Sequence, residues 1–231
     1  MKILGLLAGA ALLLGAQSAY AVTIVNGGFD TPVTNSATFD TLGAGDTSLG
    51  WKVGGAGVDH IGGLWQPQNG TGSIDLSGSS GSAPHHGSIS QLLTDFVVGQ
   101  EYKITFYMSG NVGSNTAGPD IKSMFAGVYT DESLSLGSLW EGNGYDYNTD
   151  LQQNSNGTMK WVPFSLKFVA QQTSYYLAFA DTSDPDSNSG AALDSVSIAA
   201  TPIPPALLLF ASALGGIGFL GYRRKKLEAA A

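Results

Sequence analysis

The sequence predicts an all-β fold, an antiparallel two-sheet jelly-roll sandwich, between residues 22 and 200. Two observations carry this. Apolar and polar residues alternate at period two in several runs, the mark of half-buried strands, and no stretch of this region sustains helical periodicity. Short apolar runs are separated by Gly, Ser, Thr, Asn and Asp, so many short strands meet at turns.

Taken in order, residues 1–21 read as a signal peptide: Lys2, an apolar run over 3–16, and Ala19-Tyr20-Ala21 as the small-x-small cleavage pattern. Strand candidates then fall at 22–25, 58–61, 73–76 and 88–96. In 102–108, Tyr102, Ile104, Phe106 and Met108 alternate with polar partners. The segment 122–130 follows. Val162, Phe164, Leu166 and Phe168 alternate next, then Tyr175, Leu177 and Phe179, and 193–198 closes the domain. The expected inward set includes Ile104, Phe106, Phe164, Leu166, Phe168, Leu177 and Phe179. Segments 110–120 and 131–157 read as long loops, and long loops in compact domains are commonly functional.

Residues 201–231 form a third unit. Pro202, Pro204 and Pro205 precede an uncharged apolar run over 206–222, and Arg223, Arg224, Lys225 and Lys226 follow. As a helix the run spans ~26 Å, enough for a bilayer core. The basic cluster predicts a cytoplasmic C-terminus and an outward-facing domain.

The chain carries a formal net charge of −8. Between 22 and 200, 5 basic residues face 17 acidic ones, a net of −12. Such a surface repels nucleic acid and anionic membranes and suits neutral ligands or cations. The absence of cysteine excludes disulfides, thiolate catalysis and cysteine-held zinc.

The sequence holds no nucleophile elbow, no His-Glu-x-x-His and no phosphate loop, so no catalytic residue is nominated and the chain reads as a non-enzyme. The histidines are His60, His85 and His86; the adjacent pair points apart along an extended chain. With 17 acids, a carboxylate pair at glycosidase spacing is a separate possibility.

Calcium is the cofactor the composition suits, because it needs several hard oxygens. Asp184, Asp186 and Asn188 stand at alternate positions as in calcium loops, and a solvated turn explains the run equally well. Trp65, Trp140, Tyr145 and Tyr147 are candidates to stack on sugar rings, with local packing as the alternative. Trp51 and Trp161 border strands and are expected in the core.

Two resemblances follow from these motifs. The tail resembles the PEP-CTERM class of sorting signals, in its VPLPA-type variant, on Pro202-Ile203-Pro204-Pro205-Ala206, the apolar span and the basic cluster. Thr201 stands where that variant has valine, and Pro205 is an extra proline. The resemblance implies a Gram-negative precursor held in the inner membrane with its domain in the periplasm. It implies processing by an exosortase and display on the surface or in the matrix.

The domain resembles the choice-of-anchor C family, related to plant cell-wall domains with galactose-binding-like jelly rolls. The match rests on Asn26-Gly27-Gly28-Phe29-Asp30, Gly50-Trp51-Lys52-Val53, Val58-Asp59-His60-Ile61-Gly62 and Trp65. Gly72-Ser73-Ile74-Asp75-Leu76-Ser77-Gly78, Ile89-Ser90-Gln91 and Leu193-Asp194-Ser195-Val196-Ser197 complete it.

That resemblance implies a non-catalytic module with a structural calcium near Asp30 and Asp194, with Asn26. Alternation places Asp194 on one face with Val196 and Ile198, where a buried carboxylate needs a partner. Calcium would supply one; backbone amides near 26–29 would also serve. The function expected is a monomeric, polysaccharide-binding surface or matrix protein. The alternatives are a glycan hydrolase and a purely structural biofilm component.

Overall fold

The computed structural model describes residues 21–202 except 35–36, 80–82, 114–120, 156–157 and 185–186. The segments expected to be a signal peptide, but for Ala21, and a sorting tail, beyond Pro202, lie outside the described residues. Among those described there is no helix, and eleven strands build two antiparallel sheets.

The strands are β1 (Phe39–Leu42), β2 (Lys52–Gly55), β3 (Val58–Ile61), β4 (Ser73–Asp75), β5 (Gly87–Leu93) and β6 (Glu101–Gly110). They continue with β7 (Ile121–Tyr129), β8 (Leu139–Asn148), β9 (Val162–Val169), β10 (Tyr175–Asp181) and β11 (Ala191–Ala200). The six-stranded sheet runs β1-β3-β4-β11-β6-β9 and the five-stranded sheet β2-β5-β10-β7-β8. Consecutive strands mostly lie in different neighbourhoods, as in Greek-key sandwiches.

The core forms where the inward faces meet. Ile104, Phe106, Leu166, Phe168, Leu177 and Phe179 are buried there, and Phe164 packs against them half-buried. Period-two alternation delivered this face because successive side chains of a strand point to opposite sides. Aromatic rings join the sheets: Phe106 meets Phe179 at 5.0 Å and Tyr145 at 5.1 Å between centroids. Such edge-to-face contacts add about 0.5–1.5 kcal/mol each beyond burial. Trp51 is wholly buried, as expected. Trp161 is half-buried, packs beside a smaller cluster and donates to the Gln66 carbonyl at 3.1 Å.

Two sequence expectations need correction. Segment 131–157 is not one loop: β8 occupies its middle and pairs with β7 from Ile121↔Asn148 to Tyr129↔Leu139. Its alternation was hidden by Gly142 and Gly144 at outward positions, where apolar-polar contrast is lost. Residues 22–25 form no strand. Val25 is instead tied to the Gln91 side chain of β5, and the chain that follows lies beside the last strand, because the Val196 amide donates to the Gly27 carbonyl at 2.8 Å.

Candidate functional site

The two outer faces of the sandwich differ in what covers them. On the six-stranded sheet, residues of the 62–72 loop and of 158–161 cover the outer side. Ile61, Trp65, Met159 and Ala192 form a second small core there, with Phe39, Leu64 and Trp161 packed on it. Trp65 is buried and its Nε1 donates to Ser73 Oγ at 2.9 Å. The ring expected to stack on a ligand therefore holds a loop to its sheet.

Carboxylates fasten the same loop. Asp194 Oδ2 accepts from the amides of Gln68 at 2.7 Å and Asn69 at 3.3 Å. Asp30 Oδ1 accepts from the amides of Thr71 at 2.5 Å and Gly72 at 3.2 Å. The structure thus brings Asp30 and Asp194 to one loop. The amides bound to Asp194 are those of 68–69 and its own neighbour Ser195, not those of 26–29.

Asp194 also leaves the face expected for it. A bulge between Asp194 and Ser197, with Ser195 at φ 54°, switches the alternation. Leu193 and Val196 both enter the core while Asp194 points outward with Ala192. Burial pushes the Asp194 carboxyl up to about 6, against the lowering effect of its amide donors.

Asn26 is spent on backbone groups: its Nδ2 donates to the carbonyls of Thr31 and Leu49, and its Oδ1 accepts from the Thr31 amide. Asp184 and Asn188 are exposed, and Asp186 lies outside the described residues. Among the described residues no three His, Cys, Asp or Glu side chains gather as a metal would require.

A second buried acidic group sits at the end of the sandwich. Asp59 and Asp75 are cross-strand neighbours on β3 and β4. Asp75 Oδ1 accepts from the amides of Ser77 at 2.9 Å and Gly190 at 3.2 Å, and Oδ2 from Asn111 Nδ2 at 2.7 Å. Asp181 Oδ2 meets His86 Nδ1 at 2.7 Å. Burial, with repulsion from Asp59 and Asp181, raises the Asp75 carboxyl to about 7. This pair is sealed from solvent, so a glycan cannot reach it for hydrolysis. His60 is also buried, its Nε2 at 2.7 Å from the Phe29 carbonyl oxygen.

The five-stranded sheet presents a different outer face. Its central row reads Ser90, Ala178, Gly127, Gly142 across β5, β10, β7 and β8. Beside it stand Tyr176 and Tyr129 on one side and Phe125 on the other. A Cβ on Gly127 would stand 2.6 Å from Tyr129 Cε2, and one on Gly142 would stand 2.5 Å from Phe125 Cζ. Both rings therefore fold over bare backbone instead of standing up from the sheet. Glycine inside a strand commonly marks such a close approach. Phe125 and Tyr176 are half-buried, and Tyr129 is more deeply covered. A groove of about 410 Å³ adjoins Tyr176, lined also by Thr23, Thr47, Lys52, Ser90 and Leu92. Its volume lies in the usual range of ligand clefts.

The other aromatics nominated from sequence lie elsewhere. Tyr145 and Tyr147 point into the core, and their hydroxyls donate to the carbonyls of Ser165 at 3.0 Å and Lys160 at 2.5 Å. They bridge β8 to the other sheet, which is why a strand replaces the expected loop. Trp140 is half-exposed and donates through Nε1 to the Val169 carbonyl at 3.0 Å. Sequence reasoning missed Phe125, Tyr129 and Tyr176. The signal was present in the glycines at i+2 and cross-strand positions, and only strand register connects them to the rings.

Residues 22–199 match the DUF642 model, described as a protein of unknown function. The chain belongs to the DUF642 family. It is also similar to Halomucin of Haloquadratum walsbyi, 28% identical over 212 residues, 88% of this chain and 2% of that protein. The chain thus spans a very small part of that relative.

Similar solved structures include a CBM4 module, with TM-score 0.42 and 14% identity over 78% of this chain and 100% of that chain. Another is TmCBM61 in complex with β-1,4-galactotriose, TM-score 0.44 and 11% identity, covering 77% and 97%. A third is the CBM22-1 xylan-binding domain of Xyn10C from Paenibacillus barcinonensis, TM-score 0.43 and 17% identity, covering 73% and 99%.

Proposed function

We propose that this chain is an exported, non-catalytic surface or matrix protein whose sandwich binds polysaccharide on the outer face of the five-stranded sheet. The observation that carries the reading is the half-buried Phe125 ring folded over Gly142, with half-buried Tyr176 beyond the glycine row and Tyr129 buried beneath it, on a face that, among the described residues, no loop with its own core covers. Rings lying along a sheet offer their faces, and the faces of pyranose rings pack on such surfaces through dispersion and apolar burial. Tyr176 on β10, Ser88 on β5, which pairs with Ala180, and exposed Asp146 on β8, which pairs with Ser123, share this face and bring hydroxyls and a carboxylate for sugar hydroxyls. The acidic domain favours neutral glycans over anionic ones.

Export and sorting belong to the same proposal and rest on the sequence of 1–21 and 201–231. The tail would span the inner membrane and be removed near Pro202–Ala206 by an exosortase. Mass spectrometry of surface material should then lack residues beyond that region.

A structural calcium at Asp30 and Asp194 is also proposed. This proposal rests on the resemblance; Asp194 is wholly buried and accepts from the amides of Gln68, Asn69 and Ser195, and among the described residues no third carboxylate or imidazole joins it and Asp30. Melting the protein in calcium and in chelator tests this. Stabilisation of ~2.7 kcal/mol is expected at a hundred times the dissociation constant, and an unchanged melting temperature leaves the amides as the only partners.

Binding itself is tested on a glycan array with the native chain and with Phe125→Ala and Tyr176→Ala. The native protein should retain at least one neutral glycan, and both variants should lose it while melting as the native protein does. Retention undiminished in both variants would move the site off this face, and turnover of a glycan would replace binding by hydrolysis.

A further inference from the structure

The polypeptide leaves the sandwich at one fixed point. The Thr201 amide donates to the Glu101 carbonyl at 2.8 Å, and its hydroxyl to the Glu101 carboxylate at 2.9 Å. Gln100 Nε2 donates to the Thr201 carbonyl at 2.6 Å. The apolar run begins at Ala206, so at ~3.5 Å per residue its start lies within ~18 Å of Thr201.

The same end of the sandwich gathers exposed apolar side chains. Ala200 pairs with Tyr102 and Glu101 with Val169, so the exit lies beside the end of β9. Trp140 is tied to Val169 by its ring N–H, and the 94–100 turn is tied to Ala170 by the Gly99 amide at 2.7 Å. Among the described residues, six of the ten large apolar side chains that stand exposed lie here: Leu92, Val97, Val98, Leu136, Trp140 and Val169. Val98 is 57% exposed, Leu136 88% and Trp140 42%. Nearby charges are in part paired, Lys52 with Glu132 at 2.5 Å and Lys167 with Glu101 at 3.8 Å.

We infer that this end is a membrane-resting surface: in the uncleaved precursor, Val97, Val98, Leu136, Trp140 and Val169 lie against the headgroup–acyl boundary of an electrically neutral bilayer. The inference rests on the proposed reading of 206–222 as bilayer-spanning. A short tether forces this end toward the bilayer, and tryptophan with aliphatic neighbours suits the interface, the apolar body inside and the N–H at its edge. The domain's negative charge selects neutral over anionic headgroups.

The chain has no cysteine, so single labels are unambiguous. The full chain is placed one per nanodisc of phosphatidylcholine carrying nitroxide lipids, with a polarity-sensitive fluorophore at V98C, L136C, L151C or A213C. Leu151 is exposed at the opposite end and Ala213 lies in the apolar run. The labels at 98 and 136 should be quenched several-fold more than the label at 151. Equal quenching at 98, 136 and 151 with strong quenching at 213 overturns the inference and leaves the tail reading intact. No quenching at 213 overturns both. Protection of 98 only when two chains share a disc assigns the surface to a second copy and overturns the membrane assignment.

Discussion

The outer face of the six-stranded sheet and that of the five-stranded sheet have been spent differently. The first is roofed by loops, with its own apolar cluster, buried tryptophan and carboxylates tied to backbone amides. The second has small side chains in its central row and aromatic rings lowered onto it. A roofed face contributes stability and offers little to a partner. An open face leaves the half-buried Phe125 and Tyr176 rings within reach of a partner. The difference teaches that aromatic content alone does not locate a binding face; what lies over each ring does.

Three substitutions break or sharpen this contrast. The largest effect is expected from Trp65→Ala on the roofed face. It empties the second core and removes the bond to Ser73, at about 3–5 kcal/mol of stability. Denaturant unfolding measures it, and glycan retention at temperatures where the variant stays folded should be unchanged. A loss of binding with little loss of stability would make the roofed face the ligand face.

Asp75 gives the next effect, read in pH. Its folded-state carboxyl titrates at about 7 against an ordinary 3.8, because burial disfavours the charge. The folded state therefore holds the proton more tightly, so this stability is complete below pH ~4 and is lost as pH rises through about 7. The difference is at most ~4 kcal/mol, at 1.36 kcal/mol per unit. Asp194, raised to about 6, adds a smaller contribution of the same sign. In unfolding series from pH 4 to pH 8, Asp75→Asn should fall less steeply than the native protein. Parallel profiles would mean that Asp75 titrates normally.

The smallest stability effect is expected from Phe125→Ala on the open face. The ring is half-buried and lies outside the core clusters, so the loss should stay below ~1 kcal/mol. A cost of 3 kcal/mol or more, on the scale of emptying a core site, would show that the ring is structural packing and not a platform.

The sequence by itself determined the all-β class, because period two at 102–108, 162–168 and 175–179 admits one burial face per strand and those faces form the core. It also marked Trp51 as core, and it placed Asp194 on the last strand. Only the tertiary structure decided which face of the sandwich is roofed, because loop 62–72 and residues 158–161 are held through contacts distant in sequence, Asp194 to the 68–69 amides and Trp161 to the Gln66 carbonyl. Only it turned Tyr145 and Tyr147 inward, since glycines masked the alternation of β8. Only it moved Asp194 off the face of Val196, since a bulge reverses every later side chain and leaves no mark in local composition. The rings over Gly127 and Gly142 were out of reach for the same reason: a glycine is informative only once its register neighbour is known.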